Sequence, residues 1–174
     1  ELGLSRANLG AGFRLGGLLT TLVVVGIAAL AALPFTRSFL DDERFVELSR
    51  WEAAYEVLVR IPVVTALSEE LLFRSVLLAV LMAVMTTRRA VIVSSVVFGF
   101  WHVLVALDDL GQNAATDSLD GIGFVGGVMG VVAATSVAGV VFAWTRLRSG
   151  SIVAPWLLHA VLNGATFTAG YLLA

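Results

Sequence analysis

Five apolar stretches, at about 15–35, 61–85, 90–107, 122–145 and 151–173, are each long enough to cross a bilayer, and short charged segments separate them. A hydrocarbon core about 30 Å thick takes roughly 20 residues of α-helix. Inside it every backbone N–H and C=O has to be paired within the segment, which leaves helices as the form for such stretches. The expected fold is all-α: a polytopic transmembrane helix bundle of about five spans, forming one domain over residues 1–174. Composition agrees, since 59% of residues are hydrophobic and 14% charged, against roughly 45–50% apolar in a soluble domain.

The segment 37–60 differs. It carries Asp41, Asp42, Glu43, Arg44, Glu47, Arg50, Glu52, Glu56 and Arg60, interleaved with Phe45, Val46, Leu48, Trp51, Tyr55 and Leu58. Apolar residues recurring every three to four positions predict an amphipathic interfacial helix leading into the second span, with Trp51 and Tyr55 in the aromatic belt. Arginine bias sets the orientation. Arg6, Arg14, Arg88, Arg89, Arg146 and Arg148 flank alternate loops, whereas Asp41, Asp42, Glu43, Asp108, Asp109, Asp117 and Asp120 occupy the others. The N-terminus is therefore expected in the cytoplasm and the C-terminus outside. All basic residues are arginine and Ala, Val and Gly abound, which suggests a high-GC bacterial genome and a bacterial inner membrane. The first residue is Glu1 rather than Met, consistent with a fragment of a longer chain.

Some functions are excluded. A pI near 5.6 with scattered arginines gives no basic face for nucleic acid. With no cysteine there is no disulfide framework, thiolate metal site or cysteine nucleophile. In the fourth span Gly123, Gly126, Gly127, Gly130, Ala134, Ala138 and Gly139 repeat at about four, which predicts close packing of a central helix.

The chemistry-bearing residues sit inside the spans. Glu69, Glu70 and Arg74 fall in the second, His102 in the third, and His159 with Asn163 in the fifth. Each charge costs roughly 2.5–3.5 kcal/mol near a membrane centre on insertion scales, so such groups point to function. Glu70 and Arg74, Phe98 and His102, and His159 and Asn163 are each four apart and share a helix face. Three helices thus present polar stripes, most economically to one pocket. Bland readings stand beside this one: Glu70 with Arg74 as a buried ion pair, His159 with Asn163 as interhelical glue, His102 as an interface histidine. Glu69 resists one. It lies about 100° round the helix from Glu70 and has no basic partner at three or four residues.

Glu69-Glu70-Leu-Leu-Phe-Arg74, Phe98-Gly-Phe-Trp-His102 and His159-Ala-Val-Leu-Asn163, in this order on separate spans, resemble the motifs of the CAAX protease and bacteriocin-processing (Abi) family of intramembrane peptidases, which includes the type II CAAX prenyl endopeptidases. The resemblance covers about residues 60–170. It implies an endopeptidase without a cofactor, acting on a peptide or membrane-protein substrate among membrane lipids. Glu69 and His102 would activate water, His159 and Asn163 would donate to the oxyanion, and Glu70, Arg74 and Phe98 would support them. The alternative is a zinc metalloprotease with Glu69, His102 and His159 as ligands, disfavoured because there is no H-E-x-x-H and Asn is an uncommon zinc ligand. From other classes, a small ion- or proton-coupled transporter would want broken helices or inverted repeats, and a noncatalytic bacteriocin-immunity protein would not need every motif position filled. Glu69 and His102 fall nearer the non-cytoplasmic ends of their spans, which predicts a cavity opening outward and a substrate other than a prenylated cytosolic protein.

Overall fold

The apolar stretches fold as helices, and among the described residues every regular element is helical. The computed structural model describes residues 1–33, 45–110 and 121–174. The acidic loop residues Asp41, Asp42, Glu43, Asp117 and Asp120, and the first third of the segment assigned to the interfacial helix, lie outside the described residues. So do the side chains of Asp108 and Asp109. In chain order the helices are α1 (Leu9–Ala31), α2 (residues 50–84), α3 (Thr87–Trp101), α4 (Val103–Leu110), α5 (Gly121–Ser149) and α6 (Val153–Leu173). Arg6–Ala31, Thr87–Leu107 and Gly121–Ser149 are long and apolar enough to cross a membrane. The other two long helices, α2 and α6, match the second and fifth expected spans and carry most of the polar candidates.

Helix α2 begins earlier than the second apolar stretch. Ser49 and Glu52 form a capping box, in which Ser49 Oγ accepts from the Glu52 N–H and Glu52 Oε2 accepts from the Ser49 N–H at 2.9 Å. From residue 50 the amphipathic segment and the span form one continuous helix, so Pro62 lies well inside it rather than near its end. Proline has no N–H and its ring crowds the carbonyl one turn back. Here the helix winds with wider i→i+5 turns over Glu56–Leu67 and again over Leu71–Leu77, on either side of Ser68–Glu70. Such turns accommodate irregularities of this kind. The Pro62 carbonyl accepts the indole N–H of Trp156 at 2.7 Å, tying α2 to α6. Trp51 and Tyr55 are exposed, as a membrane-interface belt requires.

Packing pairs α1 with α6, α3 with α5, and α2 with α6. The close approaches occur at glycines, but not mainly at those singled out in the fourth span. A Cβ on Gly126 or Gly130 would meet open space, so the first part of α5 is not a tightly packed central helix. Further along, α5 packs closely near Gly139, where a Cβ would lie 3.1 Å from Ser95 Cα. On α3, a Cβ at Gly99 would clash with Ser136 Oγ and lie 2.6 Å from the Val132 carbonyl. The α1–α6 contact uses Gly12 and Gly16, a four-residue spacing, where Cβ atoms would come within 2.7 Å of Ser151 Oγ and 3.2 Å of Ala154 Cα.

One end of the bundle gathers the arginine-bearing ends. Asn8 Nδ2 donates to Gly150 O at 3.1 Å, Arg146 Nη2 to Glu1 O at 2.7 Å, and Ser75 Oγ to Leu2 O at 2.6 Å. Leu78, Ala90 and Ala143 pack together, bringing the α2–α3 turn to the same end. The turn Ser149–Ile152 is itself buried, and Gly150 takes the left-handed conformation it needs (φ 67°).

Candidate active site

Glu69 and Glu70 occupy the α-helical turn Ser68–Glu70, between the two wide-wound segments of α2. Successive residues point about 100° apart, and their surroundings diverge accordingly. Glu70 and Arg74, one turn apart, are fully buried. Arg74 Nη1 stands 3.4 Å from Glu70 Oε1, an ion pair too long to be a good hydrogen bond. Among the described residues none of the three guanidinium nitrogens has a hydrogen-bond partner. Aromatic faces surround the cation instead: Arg74 Cζ lies 3.8 Å from the ring centre of Phe98, 5.1 Å from that of Phe142 and 5.7 Å from that of Phe73. Desolvated cation–π contacts of this kind contribute about 2 kcal/mol each.

His159 of α6 closes this cage. Its ring is 3% exposed, stacks on Phe142 at 4.9 Å and 20°, and meets Phe98 edge-on at 5.9 Å. Its Nδ1 lies 2.9 Å from Glu70 Oε1. Taken as the acceptor of this bond, as it is of the Arg74 ion pair, Glu70 Oε1 makes Nδ1 the donor. In the neutral ring Nε2 then bears a lone pair.

His102 reaches the site by another route. Helix α3 ends at Trp101, and His102 has φ −85° and ψ 2°, the sparsely populated bridge between helix and strand that active-site residues often occupy. The helix resumes at once, with the Ala106 N–H donating to His102 O at 2.8 Å. No proline causes this break. The His102 ring packs on Phe98 at 4.6 Å, and its Nδ1 lies 2.8 Å from the Phe98 carbonyl. A carbonyl only accepts, so Nδ1 is again the protonated nitrogen and Nε2 is free.

Both free nitrogens face one atom. His102 Nε2 and His159 Nε2 each lie 3.9 Å from Glu69 Oε2, an oxygen buried without a hydrogen-bond partner among the described residues. The other oxygen, Oε1, accepts from the indole of Trp101 at 3.2 Å. Glu69 and His102 keep 13% and 16% side-chain exposure, so this pocket is close to the surface of the bundle whereas the Arg74 cage is not.

Of the residues expected at one pocket, Glu69, Glu70, Arg74, Phe98, His102 and His159 do meet. Asn163 is half-buried one turn further along α6, on the His159 face. Trp101 and Phe142 were not anticipated. The first is overshadowed by its histidine neighbour, and the second is one aromatic in a run of small apolar residues. A groove of about 700 Å³ between α1, α2 and α6 is apolar and contains none of these polar residues. Among the described residues no group of three or more His, Asp or Glu side chains is arranged to hold a metal ion.

A family model described as type II CAAX prenyl endopeptidase, Rce1-like, matches residues 51–165, from the start of α2 to just past Asn163. Helix α1 lies outside the match. Neither a curated protein nor a solved structure matches the chain.

Proposed function

Given that this chain belongs to the Rce1-like family of type II CAAX prenyl endopeptidases, we propose that it hydrolyses a peptide bond within or beside the membrane, with Glu69 as the general base. The observation that carries this reading is the placement of His102 Nε2 and His159 Nε2, each 3.9 Å from the unpartnered Oε2 of Glu69. A gap of 3.9 Å is too long for a direct hydrogen bond, but it suits a water lying about 2.8 Å from both groups. Glu69 takes a proton from that water as the oxygen attacks the carbonyl carbon, and returns it to the amide nitrogen when the C–N bond breaks. His102 Nε2 accepts the second water proton and orients the attack.

The Nδ1 protons are already committed, so His159 donates to the oxyanion only as the imidazolium, with Glu70 at 2.9 Å as its counter-charge. Asn163, one turn along, is the neutral donor assigned to the same oxygen. Loss of one such donor costs roughly 10²–10³-fold in kcat. Glu70, Arg74 and Phe98 hold His159 and His102 in place without touching the substrate.

A second reading has one observation in its favour: histidines whose Nδ1–H groups are anchored by a carboxylate or a carbonyl are typical metal ligands. Glu69, His102 and His159 would be that set. Yet tetrahedral zinc with bonds of about 2.0–2.1 Å brings its ligand atoms to roughly 3.3 Å from one another, and the Oε2–Nε2 separations here are wider. The water mechanism is the better fit.

Prenylated C-terminal peptides and unmodified peptides are both tested as substrates. In a bacterial inner membrane, with the arginine-bearing end cytoplasmic, the unmodified class is favoured. The decisive assay offers both classes, as internally quenched peptides, to the detergent-purified protein and to its Glu69→Gln and His102→Ala variants. Undiminished cleavage by both variants sinks the mechanism. Metal analysis with chelator challenge on the same preparation decides against the zinc reading if activity survives metal removal. Labelling of single cysteines placed at Arg60 and Arg88 reports the orientation.

A further inference from the structure

We propose that Trp101 is a positioning residue that occupies one oxygen of Glu69 and so reserves the other for water. This inference rests on Glu69 being the base. The carboxylate is divided: Oε1 accepts the Trp101 indole N–H at 3.2 Å, and Oε2, buried and without a hydrogen bond among the described residues, faces His102 and His159. Indole is a donor only, so it satisfies an oxygen without competing for the proton that Glu69 must take up.

The backbone makes this possible. On a regular helix neighbouring side chains diverge by about 100°, yet Trp101 and His102 reach opposite oxygens of the same carboxylate. The departure from helical geometry at His102, with ψ near 2°, lies between them. The Trp101 ring is braced edge-on against the buried Phe73 at 5.8 Å and 69°, which fixes where its N–H points. Trp101 as a whole is 54% exposed, so the indole stands between Oε1 and the surroundings of the bundle. A carboxylate oxygen facing hydrocarbon without a donor is costly. Without the indole, Glu69 would rotate to seek another partner and Oε2 would leave the two Nε2 atoms.

The test uses the full chain in detergent. Trp101→Phe keeps an aromatic ring against Phe73 and loses only the donor. A hydrogen bond to a charged group contributes enough that kcat on the cleaved peptide should fall about tenfold to a hundredfold. KM should change little, and the melting temperature should stay close to that of the parent. Independently of activity, the Trp101 indole ¹⁵N–¹H resonance, assigned by its disappearance in Trp101→Phe, should move in Glu69→Gln while those of Trp144 and Trp156 stay in place. Parental kcat in Trp101→Phe, beside an inactive Glu69→Gln, overturns the positioning role and leaves the base assignment standing. A Trp101 resonance indifferent to Glu69→Gln overturns the contact itself. If Glu69→Gln cleaves like the parent, the base assignment falls and takes this role with it.

Discussion

The cage around Arg74 and the pocket around Glu69 lie within two turns of α2, yet they handle charge in opposite ways. In the cage the ion pair is sealed: Glu70 and Arg74 have essentially no exposure, and three phenylalanine rings and His159 fill the space around them. In the pocket the carboxylate is partly open, one oxygen is held by a half-exposed indole, and the other faces two nitrogens that are close but not bonded. The sealed region has no room for a reacting molecule and fixes geometry. The open one has unused hydrogen-bonding capacity where a water and a peptide carbonyl would sit. A charge in a membrane protein therefore points to chemistry when space is left beside it, and to architecture when packed side chains fill that space.

The largest effect that would break this contrast is on stability. Arg74→Ala leaves the Glu70 charge buried beside His159 alone, and removing one member of a buried pair costs about 3–5 kcal/mol. The purified variant should melt far below the parent, and the double change Glu70→Gln with Arg74→Met should recover most of the loss. A parental melting temperature in Arg74→Ala would show that the cage is not structural. Next in size, His102→Ala should lower kcat about 10²–10⁴-fold and His159→Ala about 10²–10³-fold. Only His159→Ala should also lower the melting temperature, because it strips Glu70 of a buried donor, about 1–3 kcal/mol. Equal melting of the two variants would erase the distinction between sealed and open regions.

Smaller changes sharpen the boundary. In Gly139→Ala the new methyl would lie 3.1 Å from Ser95 Cα and 3.2 Å from Arg74 Nη2, so α3 and α5 must part. Overpacking of this kind costs about 1–3 kcal/mol. Gly126→Ala, which meets open space on the same helix, should be neutral or stabilise by up to about 1 kcal/mol through helix propensity. Thermal unfolding of the two variants side by side compares them directly. The smallest effect is at the start of α2. Hydrogen bonds from the Ser49 side chain and backbone hold the exposed Glu52 carboxyl below its usual range. A carboxyl lowered in the folded state stabilises above its unfolded value and loses that contribution as pH falls through the folded one. Amide exchange at residues 50–55 should therefore quicken in acid, relative to the rest of α2, and Glu52→Gln should flatten that dependence.

How far the sequence could be read varies with the interaction. The helical fold and the meeting of Glu69, Glu70, Arg74, Phe98, His102 and His159 were legible because ionisable groups in apolar spans have few places to go, and four-residue spacings fix helix faces. The glycines were legible only in part. Of the stripe in the fourth span Gly139 makes a close approach, but a Cβ on Gly126 or Gly130 would meet open space, and Gly12, Gly16 and Gly99, outside the stripe, make close approaches too. Small residues permit contact, and only the placement of a second helix decides whether contact occurs. The second apolar stretch begins at about residue 61, which puts Pro62 at its end; the helix instead starts at residue 50, and wider winding accommodates Pro62 inside α2.

By itself, then, the sequence determined that the chain forms membrane helices, which residues share each face, and that Glu69 lacks a partner on its own helix. These follow from local rules: hydropathy, helical period and charge spacing. Tertiary structure alone decided that Phe142 and Phe98 enclose Arg74, that Trp101 takes one oxygen of Glu69, and that both histidines bind through Nδ1 and turn Nε2 inward. Each depends on the distance between side chains from different helices and on one backbone departure at His102, and no sequence period encodes either.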